Sequence, residues 1–202
     1  MKSQKQVWNA IAPEWYKFKT QKAEKHSPET IKFLKKQTGK ILDLGSGSGR
    51  YLQEIKQGEM YLVDFSEEMI NFAKKHSKKI KIPAQFVVAP MTKLPFEDNF
   101  FNGAIANSSF HCINPKEQKE SAKELYRILK PKAKAEISVW NINSKRFKNS
   151  QKEKIIAWHD KGKRYYYLFE EKEVHNLFKK AGFKIIKEKE PGVMITFIVE
   201  KS

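Results

Sequence analysis

The residues best suited to chemistry lie together in Lys40–Tyr51, which reads Lys-Ile-Leu-Asp-Leu-Gly-Ser-Gly-Ser-Gly-Arg-Tyr. Three alternating glycines, Gly45, Gly47 and Gly49, follow an apolar run (Ile41, Leu42, Leu44) that suits a buried strand of a parallel sheet. Without Cβ atoms the chain can turn sharply off that strand and let a ligand lie against its backbone. A helical pattern starting at Tyr51 and Leu52 would add the unpaired N–H groups of a helix start, which favour an anion. Asp43 places a carboxylate two residues before the first glycine. A second acid, Asp64, ends the stretch Glu59–Asp64 at about the spacing where such folds hold a ribose. A carboxylate there can accept from both ribose hydroxyls at once. The plain alternative is a ligand-free glycine turn, with Asp64 in a strand-end turn and Ser66 capping the next helix.

The spacing narrows the ligand. A dinucleotide fingerprint needs Gly-x-Gly-x-x-Gly, and its third glycine is Arg50 here; the Gly-Lys-Ser/Thr ending of a phosphate-binding P-loop is also missing. An acid followed by Gly-x-Gly-x-Gly resembles motif I of the class I S-adenosylmethionine-dependent methyltransferases. That resemblance implies that Gly45, Ser46, Gly47 and Gly49 wrap the methionine end of S-adenosyl-L-methionine. Asp43 would help hold the ammonium group and Asp64 the ribose, with Phe65 beside the adenine. Met91 and Asn107 would complete the cofactor site, and no metal is implied.

The surrounding pattern supplies the elements that must position these groups. A short amphipathic helix, Gln4–Ile11, is ended by Ala12–Tyr16, and a lysine-rich connector runs to His26. Ser27-Pro28-Glu29 reads as a helix start. After the glycine loop come a helix Arg50–Lys56, the strand Glu59–Asp64, a helix Glu67–His76 and strands Ala84–Ala89 and Phe101–Ala106. A helix from Asn114-Pro115 to about Leu129 is ended by Pro131 and followed by the strand Ala135–Trp140. A basic insert, about 141–168, precedes a helix Glu171–Ala181 that stops at Gly182. The strands Phe183–Lys189 and Val193–Glu200 close the chain around Pro191-Gly192. Strand–helix alternation over the first 140 residues predicts a parallel sheet. With the resemblance, the expected fold is an α/β, Rossmann-like class I methyltransferase fold. It has a seven-stranded, mostly parallel sheet with an antiparallel C-terminal strand and helices on both faces, in one domain spanning 1–202.

A wider resemblance covers nearly the whole chain. Trp8–Pro13, the glycine loop, Leu94-Pro95-Phe96, Phe110-His111, Trp140 and Arg164-Tyr165-Tyr166-Tyr167-Leu168-Phe169 together look like the tRNA wobble-uridine carboxymethyl methyltransferases. These esterify 5-carboxymethyluridine in the anticodon loop. The resemblance implies that His111, Trp140, Arg164 and Tyr165 stand near the substrate. The chain departs from that family at Ala89-Pro90, where an acid is usual, and at Lys19, where an arginine is. It implies a second partner besides tRNA, a small zinc-binding activator protein docked along the edge strand Ala84–Ala89, whose Phe86, Val87 and Val88 carry no charge to blunt pairing. Two alternatives stay open: a class I methyltransferase of small molecules, and a basic RNA-binding protein that retains the fold without catalysis.

Composition bears on partners and compartment. The 202 residues carry a formal charge of +17, mostly lysine, a field that attracts polyanions, with nucleic acid first. The N-terminal connector and the segment Ser144–Arg164 are the expected phosphate contacts. The single cysteine, Cys112, excludes a disulfide framework and a cysteine-based zinc site. With no signal-peptide core and no apolar run of membrane-spanning length, a cytoplasmic protein without a membrane partner is expected.

Overall fold

The computed structural model describes residues 2–21 and 27–202, so positions 22–26 of the basic connector lie outside the described residues. The first helix, α1 (Gln4–Trp15), is opened by a capping box in which Ser3 Oγ accepts the Gln6 N–H and Gln6 Oε1 accepts the Ser3 N–H. It does not stop at Ile11. It passes through Pro13 and continues as a π-helical turn, Tyr16–Gln21. A proline inside a helix costs about 3 kcal/mol, and burial of the aromatic residues beyond it offsets that cost. Tyr16 packs 5.1 Å from Phe72, and Trp15 meets Trp8 edge-on at 5.3 Å. Helix α2 (Pro28–Leu34) starts as its sequence predicts, with Ser27 Oγ accepting the Thr30 N–H and Pro28 in the first turn.

Strand β1 (Lys40–Leu44) enters the glycine loop. The helix expected over Arg50–Lys56 is only a 3-10 turn, Leu52–Glu54. Between Gly49 and the turn at Gly58 the chain is too short to repay helix nucleation, and Tyr51 at the cap position makes no side-chain cap. Strand β2 (Glu59–Asp64), helix α3 (Glu67–Ile80, capped by Ser66), strand β3 (Gln85–Val88) and strand β4 (Phe101–Asn107) follow. Helix α4 (Pro115–Ile128) ends before Pro131, which lies instead inside strand β5 (Leu129–Trp140). There β4 steps from Phe101 to Gly103 while β5 steps from Leu129 to Lys134. A proline without an N–H is accommodated in such a bulge.

The basic insert contains a hairpin, β6 (Glu153–Trp158) and β7 (Gly162–Tyr167), separate from the main sheet. Helix α5 (Glu171–Lys180), strand β8 (Phe183–Glu188) and strand β9 (Met194–Lys201) complete the chain. The main sheet has seven strands in the order β3-β2-β1-β4-β5-β9-β8, and only β9 runs antiparallel. Leu125 and Ile128 of α4 and Val174 and Phe178 of α5 cover one face, on Ala135, Ile137, Phe197 and Val199. Phe33 and Leu34 of α2 and Ala73 of α3 cover the other, on Ile41, Leu62 and Ile105. Helix α1 joins the hairpin to α3 through Trp8, Ile11, Met69 and Tyr166. It thereby roofs the C-terminal ends of the parallel strands, the side on which ligands bind open α/β sheets.

Candidate active site

One cavity of about 470 Å³ opens beneath that roof. Asp43, Gly45, Ser46, Gly47, Asp64, Phe65, Met91 and Asn107, all expected at the cofactor, line it. So do His111, Trp140 and Arg164, expected at the substrate. Gly49 and Tyr165 do not. A Cβ on Gly49 would come within 2.9 Å of Leu62 Cδ2, so this glycine seats the loop on the sheet and α3 rather than facing a ligand. A Cβ on Gly45 would lie 2.4 Å from Ser109 Cβ. Gly45 therefore lets the segment after β4, which carries His111, close against the glycine loop.

Among the described residues the loop runs into the 3-10 turn rather than the expected α-helix, and its backbone donors are largely spent inside the protein. The Gly45 and Ser46 N–H groups both donate to the Val63 carbonyl, at 2.8 and 3.0 Å. The Gly47 N–H donates to Asp64 Oδ2 and the Ser66 N–H to Asp64 Oδ1, each at 2.9 Å. Asp64 is thus fixed from both sides, and each oxygen keeps a lone pair for a hydroxyl. Burial raises its pKa to about 6, against the opposing effect of these N–H groups. Asp43 is more strongly affected. Burial, then the neighbouring Asp64 charge, pushes its carboxyl up to about 8, and Oδ2 has no hydrogen-bond partner among the described residues. A buried acceptor left bare beside a second acid calls for a cation. The ammonium group of S-adenosylmethionine meets that need at Asp43 and its ribose suits Asp64, so the residues present fit this cofactor.

The other end of the cavity is aromatic and cationic. His111 Nδ1 accepts the Trp140 N–H at 3.1 Å, and the imidazole stacks on the Trp140 ring at 4.7 Å and 12°. Burial lowers its pKa to about 3. His111 is therefore a neutral imidazole whose proton sits on Nε2, a donor and not a base. The Arg164 guanidinium is buried over the Trp158 ring at 4.6 Å and near Tyr166 at 5.1 Å, and Nη1 donates to the Tyr166 hydroxyl. Its Nε has no partner among the described residues. Arg146 lies 5.4 Å over Trp140 and also lines the cavity. Half-buried Cys112 places its thiol 3.6 Å from the Ser108 carbonyl, and desolvation raises the thiol pKa, which disfavours a thiolate nucleophile.

Tyr165 faces away because β7 alternates. Arg164 and Tyr166 share the cavity side, whereas Tyr165 and Tyr167 pack toward the sheet core, the latter donating its hydroxyl to Glu173. Tyr166 takes the place expected for Tyr165. Trp158, which no motif marks, also lines the cavity, as do Trp8 of the family-like N-terminal run and Arg146 of the basic segment expected at phosphates. The alternation within Arg164–Tyr167 was the available signal for Tyr166; the tryptophans arrive from distant elements.

Comparison with known proteins agrees with this geometry. Residues 41–132 match the family model described as "Methyltransferase domain". The chain is 30% identical to 24-methylenesterol C-methyltransferase 2 of Arabidopsis thaliana, over 75% of this chain and 43% of that protein. It is 25% identical to Probable tRNA methyltransferase 9B of Mus musculus, over 65% of this chain and 29% of that protein. The chain therefore spans less than half the length of either relative. The crystal structure of PH0226 from Pyrococcus horikoshii OT3 superposes with a TM-score of 0.76 at 25% identity, covering 94% of this chain and 99% of that one. A SAM-dependent methyltransferase structure from Methanosarcina mazei (22% identity, TM-score 0.73, covering 87% of this chain and 98% of that one) and the [4+2]-cyclase SpnF (14% identity, TM-score 0.74, covering 98% and 96%) share the fold, as does a Burkholderia thailandensis N1-methyltransferase with bound S-adenosylhomocysteine (18% identity, TM-score 0.69, covering 100% and 92%). The sheet order, the acid-flanked glycine loop and the matched segment make residues 41–132 a methyltransferase domain of the class I kind, whose cofactor is S-adenosyl-L-methionine.

Proposed function

We propose that this chain methylates tRNA, esterifying the carboxylate of 5-carboxymethyluridine at the wobble position of the anticodon loop. The observation that carries the reading is the buried Arg164 guanidinium, boxed by Trp158, Tyr166 and Trp8 and lining the same cavity as the neutral donor His111. A carboxylate on a planar base suits such a box: the anion meets the cation, and the splayed-out base can stack on a ring. The distant likeness to a tRNA methyltransferase and the charge of +17 also support it.

The chemistry asks little of the protein. When bound, the cofactor supplies an electrophilic methyl group, held through Asp43 and Asp64. A carboxylate is ionised and nucleophilic at neutral pH, so no proton need be removed. This suits a site whose histidine is already a donor and whose cysteine is a neutral thiol. Arg164 and His111 would orient the carboxylate oxygen, and positioning alone can lower the barrier by several kcal/mol. Small-molecule transfer is the second reading, since relatives with this domain act on sterols. Mass spectrometry of tRNA nucleosides after incubation with enzyme and cofactor tests the choice. The expected product is an ester that mild alkali removes, and Cys112→Ser should leave turnover nearly intact. An alkali-stable methyl group, or activity abolished by Cys112→Ser, would refute the proposal.

A small zinc-binding activator along the sheet edge belongs to the same proposal. Among the described residues strand β3 pairs only with β2 and leaves Val88 exposed, an edge suited to added pairing. Co-expression with such an activator is expected to raise solubility and turnover. A lone chain that is monodisperse and gains nothing from the activator would remove this partner.

A further inference from the structure

A second concavity, of about 510 Å³, lies on the α2 side of β5, β9 and β8, apart from the methyl-transfer cavity. Six lysines line it: Lys32 and Lys36 from α2 and the turn after it, Lys132 and Lys134 from β5, and Lys187 and Lys189 from the β8 end. Glu29, Glu136 and Glu188 line it too. Two of the lysines are paired, Lys189 with Glu29 at 2.7 Å and Lys134 with Glu200 at 3.7 Å. Lys32, Lys36, Lys132 and Lys187 make no salt bridge among the described residues, and all four are exposed. Like charges gathered around a concave wall repel one another and focus a positive potential into it. A chain of phosphates relieves that repulsion.

The groove is also connected to the active site by hydrogen bonds. Asn107, which lines the methyl-transfer cavity, donates through Nδ2 to Thr30 Oγ1 at 3.0 Å, and the Thr30 hydroxyl donates to Glu136, which lines the groove. Thr30 of α2 therefore links the two concavities by a chain of two hydrogen bonds. Glu136 is buried, and burial raises its pKa to about 7, which weakens one of the three acidic groups lining the groove.

We infer that this lysine groove is a docking track for the phosphate backbone of the RNA whose base enters the neighbouring cavity. The inference rests on the tRNA reading and adds where the body of the RNA lies. It is tested by the quadruple variant K32Q/K36Q/K132Q/K187Q against a control, K74Q/K78Q/K79Q/K119Q, that removes the same charge from other exposed positions. Affinity for tRNA is measured across a salt series, alongside cofactor affinity and steady-state methyl transfer. For the groove variant, the log–log salt slope should fall in magnitude by about 3, since each lost phosphate contact removes roughly 0.7–0.9. The tRNA KM should rise by at least about tenfold while kcat at saturating tRNA stays within about twofold. Cofactor affinity should not change, and the control should fall much less than the groove variant. Equal losses in the two variants would mean that net charge alone matters, and would overturn the groove. An unchanged slope in the groove variant, with wild-type tRNA binding intact, would overturn it while leaving the tRNA reading standing. Failure of the wild-type protein to bind tRNA would overturn both.

Discussion

Arg164→Ala is expected to lower kcat for tRNA methylation by about 10²- to 10³-fold while changing tRNA affinity little. The magnitude follows from the loss of one preorganised charged donor in a water-poor site. On the proposed tRNA reading it falls on kcat, because many phosphate contacts would hold the RNA whereas one buried guanidinium would meet the acceptor. Arg164→Lys should recover only part of the loss, since an ammonium has neither the planar fork nor the same stacking on Trp158. The side chain also packs against Trp8 and Tyr166, so a thermal melt and a cofactor titration must accompany the kinetics. Normal folding and cofactor binding with kcat within about threefold of wild type would remove Arg164 from the acceptor site.

The contrast between Arg164 and Tyr165 shows where the sequence is legible and where it is not. Apolar runs bounded by glycines and acids locate β1, β2 and the loop between them, because local backbone chemistry decides that region. Asp43 and Asp64 are readable for the same reason. A strand's period of two says that Arg164 and Tyr166 share a face. It does not say which face meets the cavity, because α1 and the β4 end settle that from far along the chain. The hairpin β6–β7 was hidden more thoroughly. Its first strand reads Glu-Lys-Ile-Ile-Ala-Trp; burial alternates along it, but Ile155 and Ala157 put apolar residues on the exposed face, so hydropathy does not alternate. The extension of α1 through Pro13 was likewise invisible, since contacts of Trp15 and Tyr16 with Trp8, Trp158 and Phe72 outweigh the local penalty. The failed helix after Gly49 is the reverse case, a periodic stretch too short to nucleate.

Loss of either buried acid should weaken cofactor binding, and the two should differ in how binding depends on pH. Asp64→Ala removes a carboxylate that also anchors Gly47 and Ser66. Losing a charge-assisted contact costs on the order of 2–3 kcal/mol, so affinity should fall about 30- to 150-fold. Asp43 works through a proton. Its carboxyl has a pKa of about 8 in the free protein, so near neutral pH it is mostly protonated. A bound ammonium group favours the ionised form and lowers that pKa. Binding must then release about one proton near pH 7, and affinity must rise as pH climbs toward 8. Above that point the cofactor's own amino group, with an ordinary pKa of about 8, loses its charge and affinity should fall again. Calorimetry in buffers of different ionisation enthalpy reads the proton directly. Asp43→Asn cannot release it, so this variant should bind more weakly, with the rising limb below pH 8 flattened. Proton release that persists in Asp43→Asn would locate the titrating group elsewhere, and wild-type binding by Asp64→Ala would take that residue out of the cofactor site.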